Sequence, residues 1–276
     1  MLHFKERIEV PFWKKLLLFL LIAILPLLLV SPRNMRANTA EEEKALNIIV
    51  LNYHKVDNVN ISLSVSVSDF DDQMAYLQEH NFHTITPQEF CAAMNGKGEL
   101  PENPVLITFD DGYLDNYTNA YPILKKYGFK AMIFCITSFM DQGIPGYFTW
   151  EQAKEMEQNG ISIESHTVTH NSMTELSDEQ LRAELAGSKQ AIEKNLGKKV
   201  TFVAYPTGTY NLHIAQLVRE AGYEGAFTIK YGNVDRASNM YALERIPIFN
   251  TGNTFQSFLE RIRFIPIFER MGWIKS

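Results

Sequence analysis

Residues 105–113 read VLITFDDGY. With Pro104 in front, the apolar run to Phe109 has the length and β-branched content of a buried strand, and it stops on two adjacent carboxylates, Asp110 and Asp111. Two desolvated carboxylates side by side each raise the pKa of the other, so the pair is costly unless something nearby relieves it. Taken alone, Asp-Asp-Gly after a strand is more often a turn than a site.

Outward from this stretch the pattern repeats. LNIIVLNYH (46–54), HTIT (83–86), KAMIFCIT (130–137), ISIESH (161–166), VTFVAYP (200–206), GAFTI (225–229) and ALERIPIF (242–249) read as strands. Between them lie helical segments: 69–80 with Ser68 as cap, 87–95 opening on Pro87, 115–128 ending on Gly128, and 149–160 stopped by Asn-Gly. Further on come 177–197, with Ser177 and Gln180 as a capping box, then 212–223 and 254–264. Strands alternating with helices give an α/β protein with a parallel sheet. Seven to eight parallel strands suggest a closed, distorted (β/α) barrel, a doubly wound open sheet being the alternative. In either, chemistry gathers at the C-terminal ends of the strands.

The chain of 276 residues, 46% hydrophobic and 21% charged, has the composition of an ordinary globular protein. Its N-terminus differs. Leu16–Val30 is an unbroken apolar run containing Pro26, preceded by Lys5, Arg7, Lys14 and Lys15. The expected division is a cytoplasmic tail and signal-anchor or transmembrane segment at 1–30, a linker at 31–45 and a catalytic domain at 46–276. The basic flank puts the N-terminus inside, so the domain is expected outside the cell membrane, held by a single pass, or secreted if the segment is cleaved. From Ala37 onward there are 20 basic and 30 acidic residues, a net −10, which argues against a nucleic-acid partner. Cys91 and Cys135 both sit in apolar surroundings and read as two buried free thiols.

Three further polar groups fall at strand ends: His54; His166 and His170 in SHTVTH; and the turn Tyr205-Pro206-Thr207-Gly208. Two histidines separated by three residues can converge on one cation, and a carboxylate would complete an open set of the catalytic kind. A pair of this spacing is on its own more often capping or surface. With Asp111 on a cation, however, the repulsion at Asp110 is relieved and Asp110 is left free to act as a base.

TFDDGY (108–113), SHTVTH (165–170) and AYPTG (204–208) resemble, in order and spacing, the first three motifs of the polysaccharide deacetylases, carbohydrate esterase family 4. The resemblance implies a distorted (β/α) barrel and a divalent metal, usually zinc and sometimes cobalt or another ion. It also implies removal of N-acetyl groups from an N-acetylglucosamine-containing polysaccharide of the cell wall or an exopolysaccharide. Carried over by motif, Asp110 is the general base, Asp111, His166 and His170 are metal ligands, and the Thr207 backbone N–H is the oxyanion donor. Tyr205, Pro206 and Gly208 would border the substrate.

The sequence also departs from the pattern. Ala204 stands where the third motif begins with arginine, and no histidine follows His213, whose helical context suits a surface role. The early Asn-Tyr-His element resembles the branch acting on poly-β-1,6-N-acetylglucosamine, in which motif order is permuted. That points to His54 as the general acid, with Arg245 standing in for the missing arginine; an ion pair with Glu244 explains Arg245 equally well. Tyr113, Tyr147 and Trp150 are groove candidates or simple packing. A non-catalytic carbohydrate-binding relative and an O-acetyl esterase on xylan-type polymers are the alternative functions.

Overall fold

In the computed structural model the chain divides into a unit at Met1–Ala45 and a unit from Leu46 onward; residues 46–264 are described below. The expected membrane segment and linker lie outside the described residues, among which no helix is long and apolar enough to cross a membrane.

The apolar run 104–109 is a strand, as expected, and the alternation of its side chains between the two faces builds the core. In chain order the strands are β1 (Ile49–Tyr53), β2 (Lys55–Val56), β3 (Ser64–Val65), β4 (His83–Thr84), β5 (Pro104–Phe109), β6 (Ala131–Cys135), β7 (Ile161–Ser165), β8 (Phe202–Ala204), β9 (Gly225–Tyr231) and β10 (Leu243–Pro247). Val105, Ile107 and Phe109 of β5 join the larger apolar cluster beneath the helices, while Leu106 joins the smaller one inside the sheet. Every pairing between these strands is parallel. The order β1-β10-β9-β8-β7-β6-β5 closes on itself because β1 also pairs with β5 along its whole length, from Ile49↔Val105 to Tyr53↔Phe109. The result is a seven-stranded parallel barrel with one extra strand. β4 is the extra: it meets β5 only at His83↔Pro104 and Thr84↔Val105, on the edge whose upper part, Thr108 and Phe109, pairs with β6. Sharing one edge between two short strands is what distorts the barrel.

The helices are α1 (Val67–Glu79), α2 (Pro87–Met94), α3 (Tyr121–Tyr127), α4 (Thr137–Asp141), α5 (Trp150–Gln158), α6 (Asp178–Leu196), α7 (Leu212–Glu220) and α8 (Thr254–Leu259). α2, α5 and α6 each begin with a complete capping box, at Thr86/Glu89, Thr149/Gln152 and Ser177/Gln180, and α3 and α6 end on left-handed Gly128 and Gly197. The first helix differs from expectation: its cap is Ser66, not Ser68, because the Ser66 hydroxyl accepts from the Asp69 amide at 3.0 Å. The small β2–β3 pair and the one-turn helix α4 are additions to the elements expected from the sequence. Before α3 the chain makes a wide π-type turn at Asn116–Ala120.

Inside the barrel, Val50, Leu106, Met132, Phe134, Phe202, Phe227 and Leu243 pack with Phe90 from α2. Phe90 meets Phe202 edge-on at 5.6 Å, closing the N-terminal end. One charged side chain shares this level: Glu164, in register with Phe134, is fully buried and accepts from the Thr201 and Phe202 amides at 2.8 Å, with Lys198 3.1 Å away. Above the apolar layer lies the candidate site.

Candidate active site

Asp110 follows β5 with its backbone amide donating to the Tyr53 carbonyl at 2.9 Å, so the closing pair β1–β5 extends up to it. Its side chain points into the barrel mouth and is 2% exposed. Arg245, on β10 at the far side of β1 and fully buried, donates through Nη1 to Oδ1 and through Nη2 to Oδ2, both at 2.8 Å. The guanidinium is fixed in turn by Nε donating to the Thr228 carbonyl at 2.8 Å, and it rests above the rings of Phe134 and Phe227. Burial pushes the Asp110 carboxyl upward, but the Arg245 guanidinium, by its charge and its two hydrogen bonds, outweighs it and holds the group well below the usual carboxylate range. Arg245 therefore keeps Asp110 ionised in a place where burial alone would neutralise it. Glu244, the other partner the sequence offered, turns outward to Lys230.

Asp111 departs from strand geometry at φ 73°, which turns its carboxylate away from Asp110 toward the two histidines. Its Oδ1 lies 3.5 Å from His166 Nε2 and 3.4 Å from His170 Nε2. Two ligand atoms at about 2.1 Å from a tetrahedral zinc ion stand about 3.4 Å apart, so these separations suit a shared cation. His166 Nδ1 donates to the Ala204 carbonyl at 2.9 Å, which leaves Nε2 as the ligating nitrogen. Burial pulls the His166 imidazole toward its neutral, ligating form. Among the described residues this trio is the group of His, Cys, Asp and Glu side chains with metal-binding convergence.

His54 follows β1, and its Nε2 lies 3.9 Å from Asp110 Oδ2, facing the carboxylate without bonding to it. Its backbone is clamped from below. Asn116 Nδ2 donates to the His54 carbonyl at 2.8 Å, the Val56 amide donates to Asp115 Oδ1 at 2.8 Å, and Asn119 Nδ2 donates to the Val56 carbonyl at 2.8 Å. The wide turn at 116–120 brings these side chains round together.

Thr207 sits in the turn after β8 at φ 58°, followed by Gly208 at φ 72°. This turn is joined to the histidine loop through Ser172 and Thr209, whose hydroxyls are 3.2 Å apart. Gly208 is constrained by space as well as conformation: a Cβ there would come within 2.2 Å of Ile229 Cγ1. Four non-glycine residues at the site, Asp111, Thr167, His170 and Thr207, thus have left-handed backbones, a concentration of strain of the kind found where structure serves chemistry.

Of the groove candidates, Tyr113 is half-buried, stacks on Tyr147 at 5.2 Å and carries Lys55 Nζ 4.5 Å above its ring. Burial and the neighbouring Asp111 both push its phenol upward, so it stays protonated. Trp150 donates its indole N–H to Asp141 at 2.9 Å and packs against the core. Tyr205 is 1% exposed and donates to the Tyr241 carbonyl, and Pro206 is buried. The structure commits those side chains to packing, leaving the backbone of the turn to face outward. His213 is exposed and pairs with Asp178. Both cysteines are free and buried. Asp115, Asn116, Asn119 and Glu184 are inconspicuous in the sequence; only the Asn-x-x-Asn spacing, three residues apart on one helical face, marks the first group.

Fold and site together define a (β/α)-barrel hydrolase with a fork-held aspartate beside an Asp/His/His centre. The polysaccharide deacetylase family profile matches residues 97–226. The YxkH protein of Bacillus subtilis (strain 168), a polysaccharide deacetylase by name, is 38% identical over 223 residues, which cover 80% of this chain and 79% of the relative. A poly-β-1,6-N-acetyl-D-glucosamine N-deacetylase of Staphylococcus aureus is 29% identical over 79% of this chain and 83% of its own length. Among solved structures, the Streptococcus pyogenes deacetylase PplD in complex with acetate superposes with a TM-score of 0.75 at 30% identity, covering 79% of this chain and 99% of that one. The chain belongs to the polysaccharide deacetylase family and is a hydrolase of that class, a polysaccharide N-deacetylase.

Proposed function

We propose that this chain removes N-acetyl groups from a polymer containing N-acetylglucosamine, with poly-β-1,6-linked chains as the favoured substrate, and that it requires a divalent cation, zinc first. The observation that carries the reading is the convergence of Asp111, His166 and His170 beside a second, ionised aspartate that ligates nothing. The named activity of the Staphylococcus aureus relative supports the substrate, and the acetate bound by PplD supports the reaction alone, since acetate is the product of deacetylation.

Asp111 Oδ1, His166 Nε2 and His170 Nε2 would hold the cation, and the two-nitrogen, one-oxygen donor set suits zinc. Such an ion lowers the pKa of water and polarises a carbonyl. The chain's own groups do the rest. Asp110, kept anionic by Arg245, accepts the proton of the attacking water at one carboxylate oxygen. The Thr207 backbone N–H donates to the oxygen that becomes negative as the amide carbonyl turns tetrahedral. His54, across the mouth from Asp110, gives a proton to the departing sugar amine. Without that proton the nitrogen would have to leave as an unstable anion. Arg245 fixes the direction of the base.

For location, we propose that residues 16–30 hold the chain in the cell membrane with the barrel outside, on the strength of the apolar run and its basic flank. External protease acting on intact cells should then digest the barrel.

The enzymatic reading is tested with Asp110→Asn. Acetate release from poly-β-1,6-N-acetylglucosamine oligomers should fall by about 10² to 10⁴, while bound zinc stays at the wild-type level. Normal turnover in that variant would sink the assigned base. Wild-type activity on acetylated xylan but not on the amide substrates would make the chain an esterase. Loss of activity with a chelator and recovery with zinc check the cation requirement.

A further inference from the structure

The two histidines of SHTVTH stand at opposite ends of a loop with poor internal support. Thr167 and His170 both have left-handed backbones, at φ 67° and 63°. A loop of this kind keeps its geometry only if something outside it supplies the bonds that a regular element would. One face of α6 does so. Glu184 Oε2 accepts from the backbone amides of Val168 at 2.8 Å and Thr169 at 2.9 Å, and Oε1 accepts from the Thr169 hydroxyl at 2.6 Å. One turn on, Gly187 lets the loop lie close, since a Cβ there would meet Val168 Cγ2 at 3.0 Å. Ser188, fully buried, bonds to Ser165 at 2.8 Å, and the Ser165 hydroxyl accepts from the Thr167 amide at 3.1 Å. From the other side the Thr137 and Ser138 amides donate to the Thr167 and Val168 carbonyls, at 3.2 and 3.0 Å.

His166 is fixed independently of this loop by its bond to the Ala204 carbonyl and by its place at the end of β7. His170 is not. It is half-buried, and its backbone amide donates to the Thr167 hydroxyl inside the same loop at 3.2 Å. We propose that Glu184 is a positioning residue for the cation site: by gathering two amides and a hydroxyl from the middle of the loop, it sets where His170 Nε2 stands relative to Asp111 and His166. Glu184 itself touches neither the ligand atoms nor the substrate. The inference rests on the cation reading above and adds a residue from a different element to it.

The support is geometric rather than electrostatic, and that distinction gives the test. In Glu184→Gln the remaining carbonyl oxygen still accepts from both amides, and the new amide nitrogen donates to the Thr169 hydroxyl, so reach is kept and charge is lost. In Glu184→Asp the charge is kept and the reach is lost. Glu184→Ala loses both. Zinc affinity of the full chain is measured by competition with a chromophoric chelator, beside the melting temperature of each metal-free variant.

Glu184→Ala and Glu184→Asp should bind zinc about 10- to 100-fold more weakly than wild type, the loss typical when a group that orients a ligand is removed. Glu184→Gln should stay within about threefold of wild type. Each metal-free variant should still unfold in a cooperative transition, and zinc should raise the melting temperature of the Ala and Asp variants less than that of wild type. Equal affinity in all four proteins overturns the proposal. So does tight binding by Asp with weak binding by Gln, which would make the role one of charge. A wild type that binds no zinc overturns the cation reading itself and the proposal with it, whereas uniform tight binding overturns only the proposal.

Discussion

Replacing Arg245 with lysine keeps a cation next to Asp110 and removes the fork. The guanidinium makes three bonds of 2.8 Å, two to the separate oxygens of Asp110 and one to the Thr228 carbonyl. A lysine ammonium is a point charge on a narrower reach and keeps one of them. Hydrogen bonds to charged groups contribute about 1.5 to 3 kcal/mol each, so losing two at the lower figure costs about 3 kcal/mol. For a domain of this size each kcal/mol moves the melting temperature by about 2 to 4 °C, which sets the expected drop at about 6 to 12 °C. The catalytic effect is separate. A carboxylate held at one oxygen can rotate, and misplacing a reacting group by about 1 Å costs up to about 100-fold, so kcat should fall about 10- to 100-fold. Arg245 is fully buried and meets no substrate, so KM should stay within about twofold. The assays are steady-state acetate release and a thermal melt on the same preparation. A variant that melts early yet turns over at the wild-type rate would refute the positioning argument and reduce Arg245 to an internal strut.

Other expectations follow from single distances or environments. His54→Ala should lower kcat on N-acetyl substrates by about 10² to 10⁴ but spare hydrolysis of an aryl acetate, whose phenolate leaves without a proton; equal losses on both would remove His54 as the acid. Gly208→Ala forces a Cβ to within 2.2 Å of Ile229 Cγ1 at a φ of 72°, so it should destabilise by more than about 1 kcal/mol and slow turnover by displacing Thr207. Adding Ile229→Ala should recover part of that loss, and a single variant behaving as wild type would contradict the contact. Burial disfavours the thiolate and pushes Cys91 up to about 12, with Cys135 raised the same way, so both thiols stay protonated through the physiological range. Iodoacetamide at pH 8 should leave both intact in the folded protein and modify both after denaturation, as read by intact mass; labelling of the native chain would show that the burial is wrong.

The parts of the molecule that the sequence announced are those governed by short-range rules. PVLITF ends where expected because a strand buried on both faces needs an apolar run of that length. Ser177 with Gln180, and Gly128 and Gly197, mark helix ends because capping is decided within four residues. Ser66 and Ser68 show the limit: two candidate caps two residues apart look alike until one hydroxyl is seen to receive the Asp69 amide. At the site, adjacency made Asp110 and Asp111 conspicuous, and a spacing of four made His166 and His170 so. Arg245 was harder, because it lies 135 positions from Asp110 and nothing local distinguishes it from a partner of Glu244. Glu184 carried no signal at all. Its role depends on how close α6 approaches a loop that the chain left many residues earlier, and closeness of that kind is settled by packing rather than by pattern.

β1 is bonded to β10 on one side and to β5 on the other, so His54 owes its place opposite Asp110 to lateral hydrogen bonds and not to its position in the chain. Order of translation and order around the ring are then separate variables. The same mouth would be assembled by a polypeptide that began at β4 and ended with β1. Gene rearrangements that move this strand from one end of the coding sequence to the other conserve the chemistry while scrambling the motif order, and a search keyed to consecutive motifs will pass over such proteins although their rings are alike.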